Sequence, residues 1–262
     1  MIIDFHTHVF PDELAERAIN KLTTNAPLMH NYTDGTAGGL IESMGQNGID
    51  RSVVLSIATK PSQVRTINQD AARMSSDRLL FFGTLHPLDP NFSQEITFLK
   101  DSGIPGIKLH PEYQYFYVDS PDMFPFYETL QDAGILIMFH AGKDPGPFSS
   151  DHALPLALRK VIRNFPRLKT IAAHMGGWQV WQDVAETLVG ENTFFDTSAI
   201  CPFLDRQLFE KMVRKHGSHR ILFGSDSPWY DQGETVRWLE GTSLSSEEKD
   251  NIFWRNASAL LG

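Results

Sequence analysis

Six of the ten histidines in this sequence stand at the ends of apolar, β-branched runs. His6 and His8 close IIDFHTH, His86 follows LLFFGTL, His110 follows GIPGIKL, His140 follows ILIMF, and His174 follows LKTIAA. Asp226 takes the matching place in RILFGSDSPW. Side chains alternate along a strand, so His6 and His8 point to the same face. Two imidazoles side by side suit either a shared cation or a hydrogen-bonded core pair, and H-x-H alone does not choose. The number of converging groups favours the cation. Each unpaired buried polar group costs about 1–3 kcal/mol, and one ion satisfies several at once. Imidazole and carboxylate suit Zn(II), and also Fe(II), Mn(II) or Co(II).

The elements that must position these residues are eight strand-like runs alternating with segments of helical periodicity. Besides the stretches above, the strands are RSVVLSIA from Arg51 and NTFFDTSAI from Asn192. PSQVRTINQDAARM, PDMFPFYETLQDAG and DHALPLALRKVIRNFP carry apolar residues at three- and four-residue intervals. Near-continuous apolar strands alternating with helices indicate a parallel sheet covered on both faces. Eight units in 262 residues predict an α/β fold of the (β/α)8 type, a single barrel domain over residues 1–262. Sites in such barrels form at the C-terminal strand ends, where the six histidines and Asp226 fall. His216 and His219 precede strand eight and belong to the opposite face, while His30 and His152 have no assigned role. The stretch LTTNAPLMHNYTDGTAGG after the first strand reads as a loop excursion at the site's end, either a lid or ordinary surface. It leads into a short helix, LIESMGQNG. The tail SSEEKDNIFWRNASALLG reads as a docked helix.

Composition narrows the function classes. Hydrophobic residues make up 41% and charged residues 21%, with a net charge of −9. An acidic surface argues against nucleic acid or anionic membrane as partner. A single cysteine, Cys201, excludes an internal disulfide and a cysteine-based zinc site. With no signal-like or membrane-spanning apolar stretch, a cytoplasmic protein is expected.

Taken together, DFHTHVFP, FHAG, AHMGG and GSDSPW resemble the amidohydrolase superfamily, in the branch that includes aminocarboxymuconate-semialdehyde decarboxylase. The resemblance runs from the first strand to the last helix. It implies that His6, His8, His140 and Asp226 hold one divalent metal, most simply Zn(II). His174 stands beside it as a proton-transfer group or a ligand to a second metal, and Asp226 also accepts a proton. GIKLHP resembles the strand-four stretch of dihydroorotases, whose lysine is carboxylated and bridges two metals. For Lys108 three readings stay open: a bridging carbamate that brings a second ion, a cation for a substrate carboxylate, or a partner to Asp4 or Asp196. His110 and Glu112 are candidate site residues on the same loop. Tyr113, Lys143, Trp178 and Trp229 are candidate substrate contacts, with Lys60, Tyr115 and Phe116 as further rim residues, and Cys201 reads as an inert small hydrophobe. The expected activity is hydrolysis of a small amide, ester or lactone by a metal-activated water. The alternative is a metal-dependent, non-oxidative decarboxylation of an unsaturated or aromatic acid. A phosphoesterase reading lacks an arginine cluster to bind phosphate. The expected partner is a small-molecule substrate, with a homo-oligomer as a further possibility.

Overall fold

A computed structural model describes residues 1–26 and 29–262. Eight parallel strands form one sheet in sequence order: β1 Ile3–Thr7, β2 Arg51–Leu55, β3 Leu79–Thr84, β4 Gly106–Leu109, β5 Leu136–Phe139, β6 Thr170–Ala172, β7 Phe194–Asp196 and β8 Ile221–Leu222. The sheet closes on itself. The Phe5 N–H donates to the Phe223 carbonyl (2.7 Å), Asp226 N–H to His6 (2.8 Å), and His8 N–H to Ser227 (2.6 Å). The helices are α1 Asp12–Asn25, α2 Ala37–Gln46, α3 Val64–Met74, α4 Phe92–Asp101, α5 Pro111–Gln114 and α6 Phe124–Ala133. They continue with α7 Pro155–Asn164, α8 Trp181–Thr187, α9 Arg206–His216, α10 Gln232–Glu240, α11 Ser246–Asp250 and α12 Asn256–Leu261. This is the (β/α)8 barrel the sequence predicts. Among the described residues no helix is long and apolar enough to cross a membrane.

Two apolar layers divide at the sheet. Ile3, Phe5, Val53, Leu55, Phe82, Leu136, Met138, Ile171 and Leu222 form one buried cluster, with Phe5 and Phe82 edge to face at 5.6 Å. The residues between them in sequence, such as Val54, Phe81, Ile107, Ile137 and Phe195, belong to the other cluster, against the helices. The C-terminal segment joins the first cluster through Ala257, Trp254, Leu260 and Leu261, docking as its sequence suggests. Helices pack through narrow stripes. On α7 the buried positions are Leu158, Val161 and Ile162 behind Pro155 at the first helical residue. On α9 the Asp205 carboxylate accepts from the Leu208 N–H (3.0 Å) at one end, and Arg214, Lys215 and His216 occupy the other.

Strand alternation breaks where the site begins. Phe5 packs in the first cluster while Asp4 turns to Gln232 on α10 (2.8 Å), so a regular strand would send His6 after Asp4. A register shift between Asp4 and Thr7 reverses this and brings His6 to the Asp196 carboxylate. Gly224 makes room for it, since a Cβ there would lie 2.9 Å from the His6 Cβ.

Two segments differ from expectation. The excursion after β1 begins as helix: Leu22–Asn25 form the last turn of α1, and Pro27 and Leu28 of the same stretch lie outside the described residues. The segment DHAL, expected to open a helix, is extended. Leu154 precedes a proline and sits at φ −68°, ψ 155°, and the Gly142 N–H donates to the Ala153 carbonyl (3.0 Å).

His216 is structural, as its place before β8 implies. It stacks on Phe195 at 4.2 Å, and its ring nitrogens meet the Thr193 carbonyl (2.9 Å) and the Gly190 N–H (3.0 Å). Burial pushes its pKa down from 6.5 to about 4. The folded state therefore binds the neutral form. Its contribution of about 3 kcal/mol is present above pH 6.5 and is lost as pH falls through about 4. Urea titrations should show stability falling more steeply between pH 6.5 and 4 in the wild-type chain than in His216→Gln; equal slopes contradict the assignment.

Candidate active site

A cavity of about 310 Å³ opens where the C-terminal strand ends converge. Its floor begins with His6, 1% exposed. The His6 Nδ1 lies 2.8 Å from Asp196 Oδ2 and 3.0 Å from Ser198 Oγ, and Nε2 lies 3.3 Å from Asp226 Oδ1. His8 Nδ1 donates to the Leu55 carbonyl (2.8 Å), which leaves its Nε2 facing the same Asp226 Oδ1 at 3.2 Å. Burial holds the His6 pKa well below 6.5, so its ring is neutral. With both Nδ1 atoms committed to acceptors, two Nε2 lone pairs and a carboxylate oxygen face one another. His6, His8 and Asp226 each offer a ligand atom within 4.8 Å of the others. The donor set fits a divalent ion.

Asp196 organises the surrounding groups. Besides His6 it accepts from the backbone N–H of His174 (2.9 Å) and Ser198 (3.0 Å) and from the Ser198 hydroxyl. His174 (φ 59°) and Asp226 (φ 72°) both sit in the left-handed region, a cost of about 1–3 kcal/mol each that the surrounding bonds must offset. The Asp226 N–H does this through the His6 carbonyl and the His174 N–H through Asp196.

His140, the fourth ligand the sequence suggests, lies beside this group and not within it. Its Nδ1 is 3.1 Å from His174 Nε2 and its Nε2 is 3.0 Å from the Lys143 carbonyl. His110 stacks on it at 4.1 Å with an interplanar angle of 11°. His110, Glu112 and His140 also bring ligand atoms within 4.8 Å of one another. Imidazole lone pairs lie in the ring plane, so stacked rings direct them side by side, not to one point. His110 Nδ1 and Glu112 Oε2 face each other at 3.5 Å without a hydrogen-bond partner. Burial raises the Glu112 pKa to about 7. The other Glu112 oxygen accepts from the His152 N–H (2.8 Å).

Lys108 is 1% exposed, with Nζ 3.4 Å from His6 Nε2. Burial lowers its pKa to about 8 against the pull of Asp196 and Asp226. Among the described residues no carboxylate lies within 4.0 Å of it, and Asp4 is taken by Ser225 and Gln232, so the pairing with Asp4 does not form.

Tyr113, Trp178 and Trp229 line the cavity as expected. Lys143 does not. Its side chain is exposed and only its carbonyl reaches the site, because the Lys143 N–H is tied to the Trp178 carbonyl (3.0 Å). Lys60 and Tyr115 are exposed, Phe116 packs on the core, and none of the three lines the cavity. Cys201 is half-buried outside the lining, and burial raises its thiol pKa. His86 is consumed by a turn, accepting from the Leu88 N–H (3.2 Å). Sequence reasoning missed Ser198, Asp144, Tyr230 and the apolar wall of Phe10, Leu22 and Met29. Asp196 was visible at a strand end with Ser198 two residues on, and Asp144 stands four residues after His140; Tyr230 and the apolar wall carry no strand-end signal.

The sequence profile of the amidohydrolase family matches residues 3–262, and the chain belongs to that family. It is an enzyme of the amidohydrolase superfamily. The gamma-resorcylate decarboxylase of Polaromonas sp. (strain JS666 / ATCC BAA-500) is 25% identical over 186 residues, 55% of this chain and 56% of that enzyme, so the chain matches about half the length of this curated relative. An uncharacterised TIM-barrel protein from Bordetella bronchiseptica superposes with a TM-score of 0.80 at 18% identity, covering 99% of this chain and 98% of that one. A dihydroxybenzoic acid decarboxylase from Polaromonas sp. JS666, solved with manganese and the inhibitor 2-nitroresorcinol, gives 0.73 at 18% identity, with 99% and 96% covered.

Groups that orient a metal-binding imidazole typically contribute 10–100-fold to affinity. Asp196→Asn should therefore weaken manganese or zinc binding about 10–100-fold by calorimetry with the fold retained. Unchanged affinity contradicts the orienting role.

Proposed function

We propose that the chain is a divalent-metal-dependent, non-oxidative decarboxylase of an aromatic carboxylic acid. The observation that carries this reading is the character of the cavity: a small space with apolar and aromatic walls, among them Phe10, Leu22, Met29, Trp178 and Trp229, around the histidines, Lys108 and Asp226. Apolar walls disfavour a buried carboxylate and favour its conversion to neutral carbon dioxide. A hydrolase must instead admit and hold water. The likeness to gamma-resorcylate decarboxylase supports the same choice, so the hydrolase expectation gives way to the decarboxylase alternative.

His6, His8 and Asp226 would hold the ion, with His140 as a further ligand by family resemblance. The ion supplies charge stabilisation for the substrate's oxygens. Lys108, beside His6, supplies the cation for the substrate carboxylate. His174, held between His140 and Ser198 and lining the cavity, relays a solvent proton to the ring carbon that bears the carboxylate, taking one up as it gives one away. The carbon–carbon bond then breaks, its electron pair restores the ring, and carbon dioxide leaves. The flat walls keep the ring in one plane during transfer.

Metal-loaded protein should release carbon dioxide from 2-hydroxybenzoates, with one solvent deuterium at the vacated carbon. His174→Asn should lower kcat by about 10²–10⁴. Ester or lactone cleavage with oxygen-18 uptake and no carbon dioxide would sink this reading.

A further inference from the structure

Polar groups in the cavity are not symmetric. Lys108 stands alone among the lining residues as a lysine or arginine, and it sits against His6. The wall beyond His140 carries a carboxylate, Asp144, whose side chain is 6% exposed. Asp144 is fixed from two sides. Its Oδ1 accepts from the Gly146 N–H (2.7 Å), and its Oδ2 lies 3.2 Å from His110 Nε2 and 3.6 Å from His140 Nε2. Tyr113 packs edge-on against His110 at 4.4 Å and closes that wall. Each carboxylate oxygen accepts two hydrogen bonds, so a fixed and largely buried Asp144 retains acceptor capacity toward the cavity. Among the described lining residues the one lysine or arginine is Lys108, which feels the Asp144 charge but makes no ion pair with it.

From this placement, and resting on the decarboxylase reading, we propose that Asp144 selects a ring hydroxyl of the substrate, so that the enzyme takes phenolic monocarboxylates and rejects dicarboxylates. The single carboxylate goes to the end that holds Lys108. A second one would meet Asp144 with no cation paired to it, and a buried like-charge contact is costly. A hydroxyl on that side donates to Asp144. A methyl ether in its place leaves the carboxylate desolvated and unpaired, which is how sites built around a hydrogen bond discriminate.

The test is calorimetric binding to manganese-loaded protein, so it reads recognition whether or not carbon dioxide leaves. The probes are a panel of dihydroxybenzoates, their mono-O-methyl ethers and matched benzenedicarboxylates. For at least one ring position, the wild-type chain should bind the dihydroxybenzoate about ten- to a hundredfold more tightly than its ether. Asp144→Asn, an isosteric change whose fold is checked by circular dichroism, should shrink that ratio below about threefold. A ratio unchanged in Asp144→Asn, or dicarboxylates bound as tightly as phenolic monocarboxylates, overturns the proposal. Binding with the expected selectivity but no carbon dioxide from any acid would leave the subsite standing and sink the decarboxylase reading instead.

Discussion

The site depends on how two imidazoles are tied from behind. Asp196 and the Leu55 carbonyl occupy the Nδ1 atoms of His6 and His8, and this turns both Nε2 atoms toward one oxygen of Asp226. Such a cluster of nitrogens and a carboxylate is the donor set of a divalent ion. It persists because barrel closure fixes its members: Asp226 is anchored by its N–H to the His6 carbonyl, and Gly224 lets β8 approach His6. The strain in the backbone of His174 and Asp226 is held by the same bonds. The arrangement is pre-organised for a cation, and the fold carries the cost of assembling it.

Much of the fold was legible in the sequence. Eight apolar runs at strand-plus-helix spacing require a closed parallel barrel, and histidine at one end of so many of them marks the mouth that carries chemistry. The helices with clear stripes, α3 and α7 among them, were visible for the same reason. What periodicity does not encode was lost. The start of the excursion, Leu22–Asn25, folds as the last turn of α1, whose polar, Asn- and Thr-containing end reads as loop. The extended DHAL segment is set by a proline and by pairing with Gly142, a non-local contact.

The site was partly legible. His6, His8 and Asp226 meet as the H-x-H pattern suggests, although regular alternation alone would not deliver His6; a register shift does. His140 shows the limit. Its Nε2 faces the Lys143 carbonyl and its Nδ1 faces His174, a placement beside the His6–His8–Asp226 group that the loop after β5 sets. That loop also reverses the expectation for Lys143 and places Asp144 3.2 Å from His110, a contact no sequence pattern marks.

The amidohydrolase family uses one barrel for several reactions, so the reaction here must be argued from the cavity. Apolar walls around a polar cluster suit an acid that loses its charge. All of this presupposes an ion at the His6–His8–Asp226 cluster. The most direct measurement is a crystal structure of manganese-loaded protein with anomalous scattering at the manganese edge. The account predicts one strong peak bonded to His6 Nε2, His8 Nε2 and the Asp226 carboxylate. A peak at His110 and Glu112 with that cluster empty, or no peak at full metal loading, would contradict it.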